Sequence, residues 1–144
     1  MKRTTIVIIT LLLAGFSLSA QDQQDMVSNC ALSIAGNTTY LKDFVIKLPA
    51  AAEPDNIPVH KANIYLMKKQ TYMFTQCTDD NSEGDLFIQL FDEQEKIMSS
   101  VNEKNGKIYY SVEFKCNKTG LYTLWYSFRE GSKGMGVGIV SLIK

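Results

Sequence analysis

The sequence predicts an all-β protein, an antiparallel β-sandwich or jelly roll of about seven to eight strands. Apolar and polar residues alternate with period two from about Thr39 onward, which is typical of strands with one buried face. Clusters of Gly, Asn, Asp and Pro separate these runs at short intervals. The one stretch with any helical period is Met26 to Ala35, so the rest of the chain is assigned to strands and turns.

The first predicted strands flank a proline-rich connection. The first strand ends at Leu48, and Pro49, Pro54 and Pro58 mark an irregular path to the second strand. A third strand, Thr71 to Cys77, is rich in Tyr, Phe and Thr, which favour extended structure. The alternating apolar positions of the first two strands are Phe44, Ile46, Leu48, Ala62, Ile64 and Leu66.

The second half of the chain is divided by clear turns, of which Asn105-Gly106 is the sharpest hairpin signal. Trp125 lies on the opposite face from Tyr122, Leu124 and Tyr126, so its strand is apolar on both sides and is predicted to be central. The predicted strands of this half are Leu86 to Phe91, Lys96 to Val101, Tyr110 to Cys116, Leu121 to Arg129 and Met135 to Ile143.

Residues 1–20 are predicted to be a signal peptide. Lys2 and Arg3 precede the apolar run Ile6 to Phe16, and small residues lead to a cleavage site after Ala20. An uncleaved anchor is the alternative. Cleavage would leave a loose N-terminal segment at 21–38 and a β-sandwich domain at 39–144. The mature protein is expected to be periplasmic, cell-surface or extracellular, with no membrane span after removal of the signal.

Charge and composition narrow the classes of function. The chain has 144 residues, with 15 basic and 15 acidic side chains and 45% hydrophobic residues, which is typical of one folded domain. Cleavage after Ala20 would leave 13 basic against 15 acidic residues, a net charge of −2. A nucleic-acid-binding protein normally has a basic excess, so no nucleic-acid partner is expected.

Three motifs, in this order, resemble the bacterial pre-peptidase C-terminal domain and related jelly-roll modules. They are Thr71-Tyr72-Met73-Phe74, the run from Gly84 to Asp92, and the run from Phe114 to Leu124, which contains Thr119-Gly120-Leu121-Tyr122. The chain is also similar to small exported proteins of Gram-negative anaerobes that have no assigned activity. The resemblance covers about residues 60–144 and implies a jelly roll with an accessory, non-catalytic role. It supplies no catalytic residues.

The implied fold restricts which of the three cysteines, Cys30, Cys77 and Cys116, can form a disulfide. If Leu86–Phe91 and Leu121–Phe128 are antiparallel neighbours, Cys77 and Cys116 lie at opposite ends of the sandwich, too far apart for a disulfide. The expected pairing is therefore Cys30–Cys116, with Cys77 free. A Cys77–Cys116 bond would argue against that strand order.

The acidic loop after the third strand is a candidate calcium site. Asp79, Asn81, Glu83 and Gly84 occupy positions 1, 3, 5 and 6 of a calcium-loop template, which supplies oxygen ligands and a tight turn. Position 12 is Leu90, where the template requires a bidentate Glu. The competing interpretation is a solvated hairpin loop, and no other cofactor is predicted.

His60, the only histidine, could serve a nucleophile, but the sequence contains no Gly-x-Ser-x-Gly elbow. An exposed histidine after the Pro58 turn is preferred, and a small hydrolase that uses His60 with a thiol or a Ser is the third hypothesis. Glycines at 134, 136 and 138 leave one face of the last strand without side chains. The gap is expected to admit a bulky neighbour, such as Trp125 or Tyr126, in preference to a ligand.

Five aromatic residues could lie on outward faces, where they would suit sugar stacking or a protein partner. Aromatic residues at alternating positions are more often part of a core, so that interpretation is preferred from the sequence alone. The five residues are Tyr65, Phe87, Phe91, Tyr109 and Trp125.

Together these features predict a non-enzymatic exported binding or accessory module of the cell envelope, with a glycan or a protein surface as its ligand. The expected site is a shallow surface formed by loops 78–85 and 129–134, which fall at the same end of the proposed strand order. An inhibitor or accessory protein of a secreted peptidase is the alternative, and the oligomeric state is left open. The candidate ligand-binding residues are Asp79, Asn81, Glu83, Asp85, Arg129, Lys133 and Trp125.

Overall fold

The computed structural model describes residues 17–34 and 36–144. Residues 1–16 of the predicted signal peptide lie outside the described residues, and Ser17 to Ala20 begin a helix. The described elements are helix α1 (Ser17–Leu32) and strands β1 (Thr38–Leu48), β2 (His60–Leu66), β3 (Thr71–Thr78), β4 (Leu86–Asp92), β5 (Glu95–Ser99), β6 (Ser111–Lys115), β7 (Gly120–Phe128) and β8 (Gly134–Ile143).

The strands form two packed antiparallel sheets, which confirms the predicted β-sandwich. In the described chain, sheet A has the order β1-β8-β3-β6 and sheet B has the order β2-β7-β4-β5. Successive strands cross between the sheets except at the β4–β5 hairpin, and this interleaving is the topology of a jelly roll. Strand β7 lies between β2 and β4, so the prediction that it is central is also confirmed.

The interior between the sheets is filled by alternate side chains of the strands. Leu86, Ile88 and Leu90 have relative exposures of 1%, 0% and 0%, as the period-two pattern of β4 predicts. From β7, Tyr126 and Phe128 are equally buried. The buried partners from both sheets form one contiguous core, which fixes the register of each strand against its neighbours.

The glycines of β8 give space to this core. A Cβ on Gly138 would overlap the Tyr126 ring, a Cβ on Gly136 would lie 2.8 Å from the Leu86 side chain, and Gly134 faces the Phe128 ring in the same way. The packing interpretation of the three glycines is therefore confirmed. The bulky neighbour at Gly138 is Tyr126, whereas Trp125 lies on the other face of its strand.

The N-terminal segment, expected to be loose over 21–38, is helical over Ser17–Leu32 and lies on the outer face of sheet A. Val27 and Cys30 of α1 are buried against Val137 and Ile139 of β8. These helix residues are three apart and share one face, so a narrow apolar stripe is enough to dock the helix. The helical period that begins at Met26 corresponds to this docked half, and the helix ends at Leu32.

Cys30 bonds to Cys77, so the predicted Cys30–Cys116 pairing is wrong. The Cα atoms of Cys30 and Cys77 are 5.9 Å apart. Cys77 pairs with Val137, whose side chain contacts the helix, so both face α1. Cys116 is free in the described chain and fully buried, and its Sγ lies 3.8 Å from the hydroxyl of Tyr122. Cys77 lies near the end of β3, whereas Cys116 follows β6 beside the start of β3, so the two cysteines are at opposite ends of the sandwich, as expected.

Within the described residues, no helix has both the length and the apolar character needed to cross a bilayer. The disulfide is typical of oxidising compartments, which favours a location outside the cytosol.

Candidate functional site

Several connections between the sheets meet at one end of the sandwich, which we call the loop end. Leu48 at the end of β1 pairs with Gly134, and Thr78 at the end of β3 pairs with Gly136. Leu86, the first residue of β4, pairs with Phe128, the last of β7. The pairing therefore brings together the connections at 49–59, 79–85 and 129–133.

The β3–β4 and β7–β8 connections are joined by backbone hydrogen bonds, as their predicted placement at one end requires. The amide of Asp79 donates to the carbonyl of Met135 at 2.9 Å, and the amide of Glu83 donates to the carbonyl of Lys133 at 3.1 Å. On the side of sheet B, the amide of Arg129 donates to the carbonyl of Asp85 at 2.9 Å. The two loops therefore form one hydrogen-bonded unit.

Ser82 fixes the tip of the acidic loop, a role that the sequence analysis missed. Its hydroxyl donates to the carbonyl of Met135 and accepts from the amide of the same residue, both at 2.9 Å. The Thr78 hydroxyl likewise accepts from the amide of Leu86 at 2.9 Å. The partner of Ser82 is 53 residues away in the sequence, so the local turn signal of a serine in a loop does not reveal this bond.

The β1–β2 connection closes a third side, which the sequence analysis also missed. The amide of Ala51 donates to the carbonyl of Gly131 at 2.7 Å. Gly131 has a φ of 67°, and a Cβ there would lie 2.8 Å from the Cβ of Ala51. A glycine is needed at this position both for the left-handed backbone and for the close approach of the two loops.

Between these loops and the end of β1 lies a cavity of about 630 Å³, which we call the loop cleft. Leu48 and Met135 give it an apolar lining, and Lys133 and Glu83 bring exposed charges of opposite sign. The full set of charged lining residues is Lys47, Asp79, Glu83 and Lys133.

The cleft brings together four of the seven predicted ligand-binding residues: Asp79, Asn81, Glu83 and Lys133. The other three lie elsewhere. Asp85 is exposed beyond the cleft, and the Arg129 guanidinium donates to the carbonyl of Gly106 on the β5–β6 connection. Trp125 lies on the outer face of sheet B, so the aromatic contacts and the loops form separate surfaces.

The calcium interpretation of the acidic loop stays a prediction. A carboxylate oxygen of Asp79 accepts from the amide of Asn81 at 3.2 Å, and the side chains of Asn81 and Glu83 are exposed. Within 17–34 and 36–144, no group of three or more His, Cys, Asp or Glu side chains is arranged to hold a metal ion.

His60 is half-buried, not exposed as expected, because it begins β2 opposite Tyr126 with 6.2 Å between the ring centroids. Cys116 lies near the other end of the interior, beside Tyr122, which pairs with Ile64. His60 and Ile64 are four residues apart in one strand, roughly 13 Å. Ser127, next to Tyr126, faces the opposite side of the sheet. His60 is therefore too far from Cys116 to act with it as a catalytic pair. Ser127 faces away from His60, so these two residues do not form such a pair either.

The outer face of sheet B carries four of the five aromatic residues, so the outward interpretation is confirmed for them and the core interpretation is wrong. Tyr65 is 63% exposed, and the rings of Phe91 and Trp125 pack against each other with 4.4 Å between centroids and an angle of 33° between their planes. The Nζ of Lys61 lies 4.1 Å from the centroid of the Trp125 ring. Phe87 follows along the same face, and Tyr109 is 42% exposed on the β5–β6 connection.

We call the outward side of β2, β7 and β4 the aromatic face. Beside it lies a second cavity, of about 400 Å³, between this face and the β5–β6 connection. Its lining includes Phe87 and Gln89 of the face and three charged residues, Glu103, Arg129 and Glu130. The aromatic face is therefore bounded on one side by a groove with polar walls.

No protein-family model matches the chain, and no curated protein matches it with a significant score. The resemblance to the pre-peptidase C-terminal domain therefore stays a prediction, and the function is argued from the geometry of the two surfaces.

Proposed function

We propose that the protein is a non-enzymatic binding module of the cell envelope and that the loop cleft receives a peptide segment of a partner protein. The observation that carries the proposal is the hydrogen-bonded frame of the cleft, in which the loops at 49–59, 79–85 and 129–133 bond to one another. A cleft whose walls are fixed before binding loses little conformational entropy when a ligand enters.

The size and chemistry of the loop cleft support a peptide. Its volume of about 630 Å³ falls in the range of ligand sites in proteins, roughly 300–1,000 Å³. Leu48 and Met135 can contact apolar side chains, while Lys133 and Glu83 can pair with charges of either sign. The ten described residues that line the cleft include no aromatic ring, which disfavours a stacked sugar at this site.

The predicted signal peptide and the disulfide support a role outside the cytosol. Residues 2–20 follow the order of a charged region, an apolar run and small residues. The Cys30–Cys77 bond links the N-terminal helix to the sandwich and would persist in an oxidising envelope. We propose export on these two grounds together.

The test begins with selection of peptides from a displayed random library against the purified protein. Titration calorimetry then measures each selected peptide against the wild type, Lys133→Glu and Lys115→Glu. Lys133 lines the cleft, whereas Lys115 is an equally exposed lysine at the other end of sheet A. We expect Lys133→Glu to raise the dissociation constant by about tenfold or more, and Lys115→Glu to change it less than about twofold.

Two results would overturn this proposal. One is a failure to select any peptide whose binding is lost in Lys133→Glu. The other is a glycan that binds the wild type on an array and no longer binds Lys133→Glu, which would assign the cleft to sugars. Circular dichroism of each variant establishes that the sandwich is intact.

A secreted peptidase is a specific candidate for the partner, as in the alternative prediction. The acidic loop presents Asp80 and Asn81 to solvent on a frame fixed by Ser82, and inhibitor loops commonly bind without rearrangement. Titration of secreted peptidases with the protein would then give a stoichiometric loss of proteolytic activity. Unchanged activity across the peptidases of the same envelope would exclude the inhibitor role.

A further inference from the structure

The aromatic face differs from the loop cleft in chemistry and position. Along β7, the outward residues that solvent reaches run from Leu121, which is 62% exposed, through Thr123 to Trp125, a length of roughly 13 Å. Ser127 beyond them is buried, and its hydroxyl donates to the carbonyl of Pro58 at 3.1 Å. Tyr65 pairs with Leu121 across β2, and Phe91 pairs with Thr123 across β4. Rings therefore recur along the whole face.

Polar side chains lie between these rings and not only around them. The Thr123 hydroxyl donates to the side-chain oxygen of Asn63 at 3.2 Å in the middle of the face, and Gln89 pairs with Trp125. A typical protein–protein interface has an apolar centre with a polar rim. A pyranose ring presents C–H groups on its faces and hydroxyls at its edges, which matches rings alternating with amide and hydroxyl groups.

The size of the face also argues against a second copy of the chain as its occupant. Three strands span roughly 15 Å, so the exposed part of the face covers about 200 Å² in projection. A stable interface buries about 800 Å² on each partner. A polymer that lies along β7 needs only a narrow strip.

The charge of the aromatic face favours an acidic polymer over a neutral one. The outward residues of β2, β7 and β4 as far as Phe91 include Lys61 and no carboxylate. Two carboxylates, Glu103 and Glu130, line the neighbouring groove together with Arg129. The ion pairs found in the described chain are Lys96–Glu103 and Lys118–Asp92, so neither of them neutralises Lys61. Its ammonium lies over Trp125, where it can meet an anionic group of a ligand that contacts the same ring.

We propose that the aromatic face binds an acidic polysaccharide, with the chain along β7. Tyr65 and Trp125 contact the sugar rings, Asn63 and Gln89 bond their hydroxyls, and Lys61 pairs with a carboxylate. The site is independent of the loop cleft. Because the chain after the predicted cleavage has a net charge of −2, attraction to a polyanion requires this local arrangement and not the overall charge.

The experiment uses polygalacturonate and its methyl ester, which share one backbone and differ in charge. Affinity electrophoresis compares the wild type with Trp125→Ala, Tyr65→Ala, Lys61→Gln, the cleft variant Lys133→Gln and the control Lys115→Gln. We expect retention by polygalacturonate, weakened about tenfold by Trp125→Ala and about threefold or more by Tyr65→Ala and Lys61→Gln. Lys115→Gln, at an exposed lysine at the other end of sheet A, removes the same charge outside both surfaces and should leave binding unchanged.

Tyr65→Ala keeps the test valid if Trp125→Ala disturbs folding, because the Tyr65 side chain is largely exposed. Absence of retention for a folded wild-type protein would overturn the proposal, as would retention that none of the three face variants reduces. Equal retention by the methyl ester would overturn the acidic class. Light scattering that shows a dimer broken by Tyr65→Ala would assign the face to a second copy instead. Loss in Lys133→Gln alone would place the polymer in the loop cleft.

Discussion

The two outer faces of the sandwich differ in what covers them. On sheet A, Val137 and Ile139 are completely buried because α1 and the Cys30–Cys77 bond lie over them. On sheet B, Leu121 and Tyr65 are more than half exposed, and the described chain places no helix over them. One sandwich therefore has one closed face and one open face.

The difference follows from the side chains of the two central strands. The outward residues of β8 under the helix are aliphatic, and burying them against α1 removes apolar surface from water. The outward residues of β7 include aliphatic Leu121 and aromatic Trp125 with the hydroxyls of Thr123 and Ser127 between and beside them, and Lys61 covers part of the Trp125 ring. An aliphatic outer face is stabilised when another segment of the same chain packs over it, whereas a mixed aromatic and polar face is suited to a ligand that binds reversibly.

The largest expected effect comes from removing the disulfide that closes the face of sheet A. Cys30→Ala/Cys77→Ala opens a loop with a sequence separation of 47 residues. The chain-entropy relation gives a loss of about 4 kcal/mol in the free energy of unfolding. Urea denaturation measures this loss, and hydrogen exchange of the α1 amides reports whether the helix leaves the sheet.

The control is the wild type measured with and without reductant. Reducing the disulfide should lower the free energy of unfolding by the same amount as the double variant does. A loss below about 1 kcal/mol together with protected α1 amides would mean that apolar contacts alone hold the helix.

A matched pair of truncations compares the two faces directly. Ile139→Ala leaves a cavity beneath α1 and should lower the free energy of unfolding by about 3 kcal/mol. Leu121→Ala acts on the open face and should change it by less than about 0.5 kcal/mol. Urea midpoints of the two variants measure the difference, and comparable losses would contradict the assignment of an open face.

Combining Ile139→Ala with Cys30→Ala/Cys77→Ala sharpens the comparison. If the disulfide holds the cover over Ile139, the truncation should cost less once the helix is released, so the two effects should not add. Strict additivity would show that Ile139 is buried independently of the covalent link.

The sandwich was predictable from sequence because strand patterning is local. Alternation in β4 and the two-sided apolar pattern of β7 depend on neighbouring residues only, and both predictions are confirmed. The space left by Gly138 was also foreseen, although only the register could show that Tyr126 fills it.

What the sequence could not supply depends on contacts between distant residues. Whether Trp125 faces the core or the solvent depends on which side of its sheet lies inward. The Cys30–Cys77 bond depends on where a short helix docks, since Cys77 lies on the outer side of sheet A and Cys116 on the inner side. The loop cleft needs Leu48 and Met135 together, which only strand pairing determines.

The smallest expected effect on stability concerns Tyr122, which lies in the interior between the two sheets. Burial, with a further contribution from the Cys116 thiol, raises the pKa of Tyr122 to about 12 from its ordinary value of 10.0. The folded state therefore favours the neutral phenol, and its hydroxyl donates to the carbonyl of Lys118 at 2.5 Å. The resulting stability is complete below pH 10 and is lost as the pH rises towards about 12.

Tyr122→Phe removes the ionisable group from this part of the core. We expect urea midpoints to fall less steeply between pH 10 and about 12 in this variant than in the wild type. Absorbance of tyrosinate followed beside circular dichroism tests the same point, since Tyr122 should ionise well above the usual tyrosine range while the sandwich stays folded. A Tyr122 signal that titrates near pH 10 in the folded protein would show that water reaches the core, and the open face of sheet B would then be a path into the interior as well as a binding surface.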